Sequence, residues 1–86
     1  MIQNKPVRTI RDGVVSVSIW KNEAEGGKNF YSLKPQKRYT KDDGDTWETS
    51  NSYSQRDAIL LANLLTDAAN WIRVNLEVEK QINGNN

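Results

Sequence analysis

The sequence has no cysteine and no histidine, and only two prolines, one methionine and one phenylalanine in 86 residues. Without cysteine, neither a disulfide nor a thiolate metal site can supplement the core. Without histidine as well, the commonest general base and the best thiol nucleophile are both missing, which argues against an enzyme. No apolar run approaches the roughly 20 residues needed to cross a bilayer. The first residues, Met1 to Pro6, lack the apolar stretch of a signal peptide. The expectation is an intracellular protein with no membrane partner, no small-molecule substrate and no cofactor.

Two further absences concern binding motifs. The glycine pair Gly26-Gly27 lies between extended segments and precedes no helix, so it is not a phosphate loop. The acidic run Asp42-Asp43-Gly44-Asp45, with Glu48 nearby, lacks the alternating ligands and later bidentate glutamate of a calcium loop. It reads as a solvated hairpin turn, and no metal is expected.

What is present is an uneven distribution of charge. The formal net charge is +1, yet nine basic residues face three acids between Lys5 and Lys41, and eight acids face three basic residues from Asp42 to Lys80. Such asymmetry hints at contact with nucleic acid or a membrane surface. The plainer reading is an unevenly charged solvated surface. A chain this short buries little more than half of its unfolded surface, which makes oligomerisation the obvious source of further burial.

The hydrophobic pattern predicts four strands and a helix. Val7 to Arg11 is a short strand ended by the turn-favouring Asp12-Gly13 pair. In the run Val14 to Trp20, Val15, Val17 and Ile19 take one side and Ser16, Ser18 and Trp20 the other, as in a half-buried antiparallel strand. After a polar loop, Asn29 to Tyr39 is extended, with Tyr31 and Leu33 on one face and Phe30, Ser32, Lys34, Gln36 and Arg38 on the other. Pro35 has no backbone N–H, so it marks an edge or a bulge and leaves the later register open. A short fourth strand runs from Thr46 to about Ser52. Ser54 with Asp57 three places on signals a helix start. Leu61, Leu64, Leu65, Ala68, Trp71 and Ile72 then recur at helical spacing through Ala58 to Val74 or slightly beyond. The fold class is therefore α+β: a four-stranded antiparallel sheet followed by one C-terminal helix. The domain spans residues 6–79, with residues 1–5 and 80–86 as flexible ends.

A sheet with a helix on one face leaves the other face open. Trp20, Phe30, Lys34 and Arg38 point to it; Arg11, Lys21, Lys28, Lys37, Tyr39 and Lys41 lie near strand ends and loops. From Gly26 to Lys41 there are five basic residues and no acid. Rings among cations make a stacking platform beside a phosphate-attracting field, suited to single-stranded nucleic acid. Each ring also has a packing reading. Trp20 could cover a sheet edge or a dimer seam, Tyr39 could pack locally, and a register slip of one residue would exchange Phe30 with Tyr31. Trp47 and Trp71 read as core. The helix is wider in its apolar stripe than so small a sheet can cover, so Leu61, Leu65, Ala68, Ala69 and Ile72 are expected to meet the helix of a second copy.

The succession Val15-Ser16-Val17-Ser18-Ile19-Trp20-Lys21, then Gly27-Lys28, then Lys37-Arg38-Tyr39, then Asp43-Gly44-Asp45 resembles the positive-cofactor-four family. That family comprises transcriptional coactivators and their bacterial and phage relatives, which bind single-stranded DNA. The resemblance covers roughly Val7 to Val74. It implies a β-β-β-β-α homodimer paired through its helices, with DNA crossing the sheets. By position it implies contacts from Trp20 and Lys21, from Lys28, and from Tyr39 beside Lys37 and Arg38. The loop from Asn22 to Gly27 is longer than in eukaryotic members. The family's basic-glycine segment before the last strand is replaced by Thr46-Trp47-Glu48-Thr49-Ser50, which takes part of the groove away.

The expected function is a homodimeric, largely sequence-independent single-stranded DNA-binding protein acting in transcription, replication or recombination. Its expected location is the cytoplasm or nucleoid of a bacterium, or the host cell if phage-encoded. If on the order of five phosphates are neutralised, log affinity should fall with log salt at a slope near −3.5, at about 0.7 per phosphate. The alternatives are an RNA-binding protein using the same surface, and a protein-interaction module with no nucleic-acid role.

Overall fold

The computed structural model describes residues 5–23, 26 and 29–84. Four strands, β1 (Arg8–Asp12), β2 (Val15–Glu23), β3 (Asn29–Thr40) and β4 (Trp47–Ser50), precede one helix, α1 (Gln55–Gly84). The strands form an antiparallel meander in the order β1-β2-β3-β4, as the alternation of the sequence predicts.

Each turn has a local cause. β1 and β2 are joined by Gly13 and Val14, and Gly13 takes the left-handed backbone (φ 62°) that starts a two-residue hairpin turn. Between β3 and β4, Asp43 (φ 56°) and Gly44 (φ 102°) are both left-handed. The Asp42 carboxylate holds that turn, accepting from Thr46 N at 2.7 Å, Thr46 Oγ1 at 2.6 Å and Thr40 Oγ1 at 3.0 Å. These hydrogen bonds, led by the one from the Thr46 hydroxyl, lower the Asp42 pKa from its ordinary value.

The register through Pro35 is continuous, with Val17 opposite Pro35 and Val15 opposite Lys37, so there is no bulge. Arg38 N donates to Val14 O at 2.9 Å, so the N–H groups of alternate residues of β3 point towards β2. Pro35, of opposite parity, directs its nitrogen to the β4 side. There β4 does not reach, since its pairing begins at Lys37 opposite Ser50. The missing donor therefore costs no ladder bond.

The helix lies across one face of the sheet. Val15, Val17 and Ile19 of β2 are fully buried against Ala68 and Leu64, and Tyr31, Leu33, Leu60, Trp71 and Ile72 pack around them. Trp71 is thus a core residue, as expected; Trp47 is not, being 52% exposed. The helix start carries the expected reciprocal cap: Asp57 N donates to Ser54 Oγ at 3.1 Å, and Ser54 N to Asp57 Oδ2 at 3.2 Å. At the other end the helix continues ten residues past Val74, to Gly84, so the segment from residue 80 expected as a flexible tail is helical as far as Gly84. Polar composition had suggested fraying, but no proline or glycine interrupts the helix before Gly84, and Glu79 is tied to the sheet. No described helix is long and apolar enough to cross a membrane.

Candidate functional site

Strand parity sorts every side chain of the sheet onto one of two faces. Residues in step with Val15, Val17 and Ile19 face the helix. These include Arg8, Ile10 and Asp12 of β1, Lys21 and Glu23 of β2, Tyr31, Leu33, Lys37 and Tyr39 of β3, and Glu48 of β4. The opposite face holds Arg11, Trp20, Phe30, Lys34, Arg38 and Trp47, with Thr9, Ser16, Ser18, Asn22, Ser32, Gln36, Thr40 and Thr49 among them. Among the described residues, the open-face positions of the four strands thus carry three cations, three aromatic rings and no carboxylate, while in the turn after β3 the Asp42 carboxylate accepts from the hydroxyl of open-face Thr40 at 3.0 Å.

Within that face, ring and cation stand in pairs. Lys34 Nζ lies 4.8 Å from the centroid of the Trp20 ring, and the Arg38 guanidinium lies 5.6 Å from that of Trp47. The Trp20 Nε1 donor is enclosed and has no hydrogen-bond partner among the described residues. Phe30, opposite Asn22 near the far end of the hairpin, is 54% exposed. A groove of about 410 Å³ runs beside Trp47, lined by Arg11, Arg38, Ser16, Gln36 and Thr9. Cations, hydroxyls and an amide along a trough with an indole at its side can hold a phosphate and a flat ring together.

The remaining expected contacts fall elsewhere. Lys21 faces the helix, its Nζ 2.8 Å from Glu79 Oε1, and the Tyr31 hydroxyl donates to the same oxygen at 3.0 Å. The Lys21–Glu79 hydrogen bond raises the lysine pKa and lowers the carboxyl, each from its ordinary value. Burial, with that carboxylate beside it, pushes the Tyr31 phenol up. Lys37 also faces the helix: its Nζ lies 2.6 Å from Asp57 Oδ2 and donates to Ser52 O at 3.0 Å. The hydrogen bond from Lys37 is the main cause that lowers the Asp57 pKa. Lys21 and Lys37 therefore do not belong to the open face; they clasp the helix to the sheet. Tyr39 shares the helix side, and Lys41, in the following turn, sits 5.9 Å from its ring and 3.4 Å from Glu48 Oε2. Lys28 lies outside the described residues.

Of the residues expected to meet a second helix, Ala68 is fully buried beneath the sheet and presents no surface. Leu61, Leu65 and Ile72 are partly buried against the chain's own core, and Ala69 is exposed. Trp47 is the open-face ring that the sequence reading had placed in the core. Its signal was the alternation Trp47-Glu48-Thr49-Ser50, which acquires a direction only once Thr40 is seen to stand opposite Trp47.

In comparisons with known proteins, no family model, no curated protein and no solved structure matches this chain.

Proposed function

We propose that this chain is a homodimeric, largely sequence-independent single-stranded DNA-binding protein of the positive-cofactor-four kind, acting inside the cell in transcription, replication or recombination. The observation that carries the reading is the open face: Arg11, Lys34 and Arg38 stand among Trp20, Trp47 and Phe30, with no carboxylate at a described strand position of that face. Every base has a π-face, so stacking on indoles is indifferent to sequence and contributes about 1–3 kcal/mol per base. Bases of a single strand are free to stack in this way, whereas those of a duplex are not. Lys34 and Arg38 are exposed and lie over the rings. An incoming base displaces these flexible side chains from the indole faces and leaves their charges beside the phosphates.

Two copies then pair through the flank of α1 that the sheet covers only in part, where Leu65 and Ile72 are half-buried and Ala69 is exposed. Ala62, Leu65, Ala69, Ile72 and Leu76 recur there at alternating spacings of three and four, the period of a helix–helix seam. Leu76 is 42% exposed.

Fluorescence anisotropy with labelled oligothymidylate tests the reading. With the three open-face cations among the described residues of each protomer, the slope of log affinity on log salt is expected near −2 for a ligand occupying one sheet, at about 0.7 per phosphate. No binding at low salt refutes the proposal and favours a protein-docking role. Preference for oligouridylate in competition would make RNA the ligand.

A further inference from the structure

We propose that the open face has two base-stacking stations, at Trp20 and Trp47, and that a single strand crosses between them along β3. The inference rests on the nucleic-acid reading above and adds a path and a minimum ligand length to it.

Trp20 stands opposite Ser32 and Trp47 opposite Thr40, so the stations are separated by the length of β3 between those partners and by two strand spacings across it. At about 3.3 Å per residue and about 4.8 Å per strand, they lie roughly 28 Å apart. Each station pairs its indole with a cation from β3, Lys34 at one and Arg38 at the other. Between them the face offers Gln36 and Ser16, with Arg11 opposite Ser16 on the flank. This stretch binds backbone, since it has polar groups and a guanidinium but no ring. Trp47 stands beside the groove, where a nucleotide can place its base on the indole and its phosphate between Arg38 and Arg11.

The spacing sets a length. A strand stacked at about 3.4 Å per nucleotide needs about eight nucleotides to join the stations, and one stretched to twice that rise needs about four. Anything shorter engages one station at a time.

Anisotropy titrations of oligothymidylates from about two to about twelve nucleotides, against the wild type and the Trp20→Ala, Trp47→Ala and Trp47→Phe variants, test this. Wild-type affinity is expected to rise steeply between about four and about eight nucleotides and more slowly after that. For an oligomer of about eight, either alanine variant should lose about tenfold. For a dinucleotide the loss should be only about twofold, because one of two independent places is gone. Trp47→Phe should retain most of the affinity. Trp47 is half exposed, and an unchanged circular dichroism melt shows that its variants fold. A smooth rise with length, wild-type binding by Trp47→Ala, or equal losses in Trp47→Ala and Trp47→Phe overturns the second station and leaves single-strand binding standing. No binding at any length removes the nucleic-acid reading itself.

Discussion

Four cations of the sheet divide into two chemical roles by parity. Lys34 and Arg38 are exposed, lie over indoles and have no carboxylate partner within the described chain, whereas Lys21 and Lys37 are committed to Glu79 and Asp57. A cation already in a hydrogen-bonded pair gives up that pair before it can neutralise a phosphate, so Lys34 and Arg38, with Arg11 on the same face, are placed to displace counterions and Lys21 and Lys37 are not. Lys34→Gln and Arg38→Gln should each weaken oligothymidylate binding and make the salt slope shallower by about 0.7. Lys37→Gln should leave the slope unchanged and lower the melting temperature, since Asp57 and Ser52 O lose their donor. Anisotropy at several salt concentrations and a thermal melt of each variant separate the two sets. A Lys37→Gln slope that falls with the others would return that lysine to the ligand.

At the scale of elements, α1 is held to the sheet near both ends, by Lys37–Asp57 at its first turn and by Lys21 and Tyr31 on Glu79 towards its last. The cap at Ser54 serves the same first turn, and Ser54→Ala should cost about 1 kcal/mol, or roughly 4–8 °C in the melt of a domain this small. The clasps also set a pH dependence. The pKa values of Asp57 and Glu79 are lower in the fold than their ordinary 3.8 and 4.5. Their contribution is therefore present above those ordinary values and is lost as pH falls through the lowered ones. The Lys21 pKa is raised above 10.5, so its contribution is present below that value and is lost as pH rises through the raised one. Melting temperature should be level from about pH 5 to about pH 10 and decline on both sides. Glu79→Gln should soften the acid decline and speed amide exchange in the last turns of α1 while sparing the capped start. How much of this was legible in the sequence follows from the range of each signal. The two-residue period of Val15 to Ile19 and the Ser54–Asp57 spacing are local, and both the strand and the cap stand where the sequence put them. The face taken by Tyr39 and Trp47 was not legible, because it depends on parity running unbroken through Pro35 and on Thr40 pairing with Trp47 across a turn. The partners of Lys21 and Lys37 lie far along the chain, on a helix whose crossing angle no periodicity reveals.

At the scale of the whole molecule, one sheet with three open-face cations among the described residues would be a small site, and the proposed pairing would double it. The core among the described residues encloses fully only Val15, Val17, Ile19 and Ala68, so a second copy would also add burial that so small a fold lacks. Ala68 is spent on the chain's own core, so the proposed pairing would use the flank of Leu65, Ala69, Ile72 and Leu76. On that flank Ala69 is the sharpest probe, because it is exposed and small. A glutamate there can reach water in a lone chain and keep the fold, but in a paired helix it is forced between apolar side chains without a partner charge. Light scattering at micromolar concentration should give the wild type twice the chain's mass and Ala69→Glu the mass of one chain, with unchanged circular dichroism. The variant should still bind an oligothymidylate of about eight nucleotides, whose contacts lie within one sheet. It should lose the added affinity that the wild type shows for strands long enough to reach both sheets, since linked sites gain by effective concentration and separate ones do not. A wild type that scatters as one chain would remove the helix seam and the long-strand advantage together, and leave the open face to act alone.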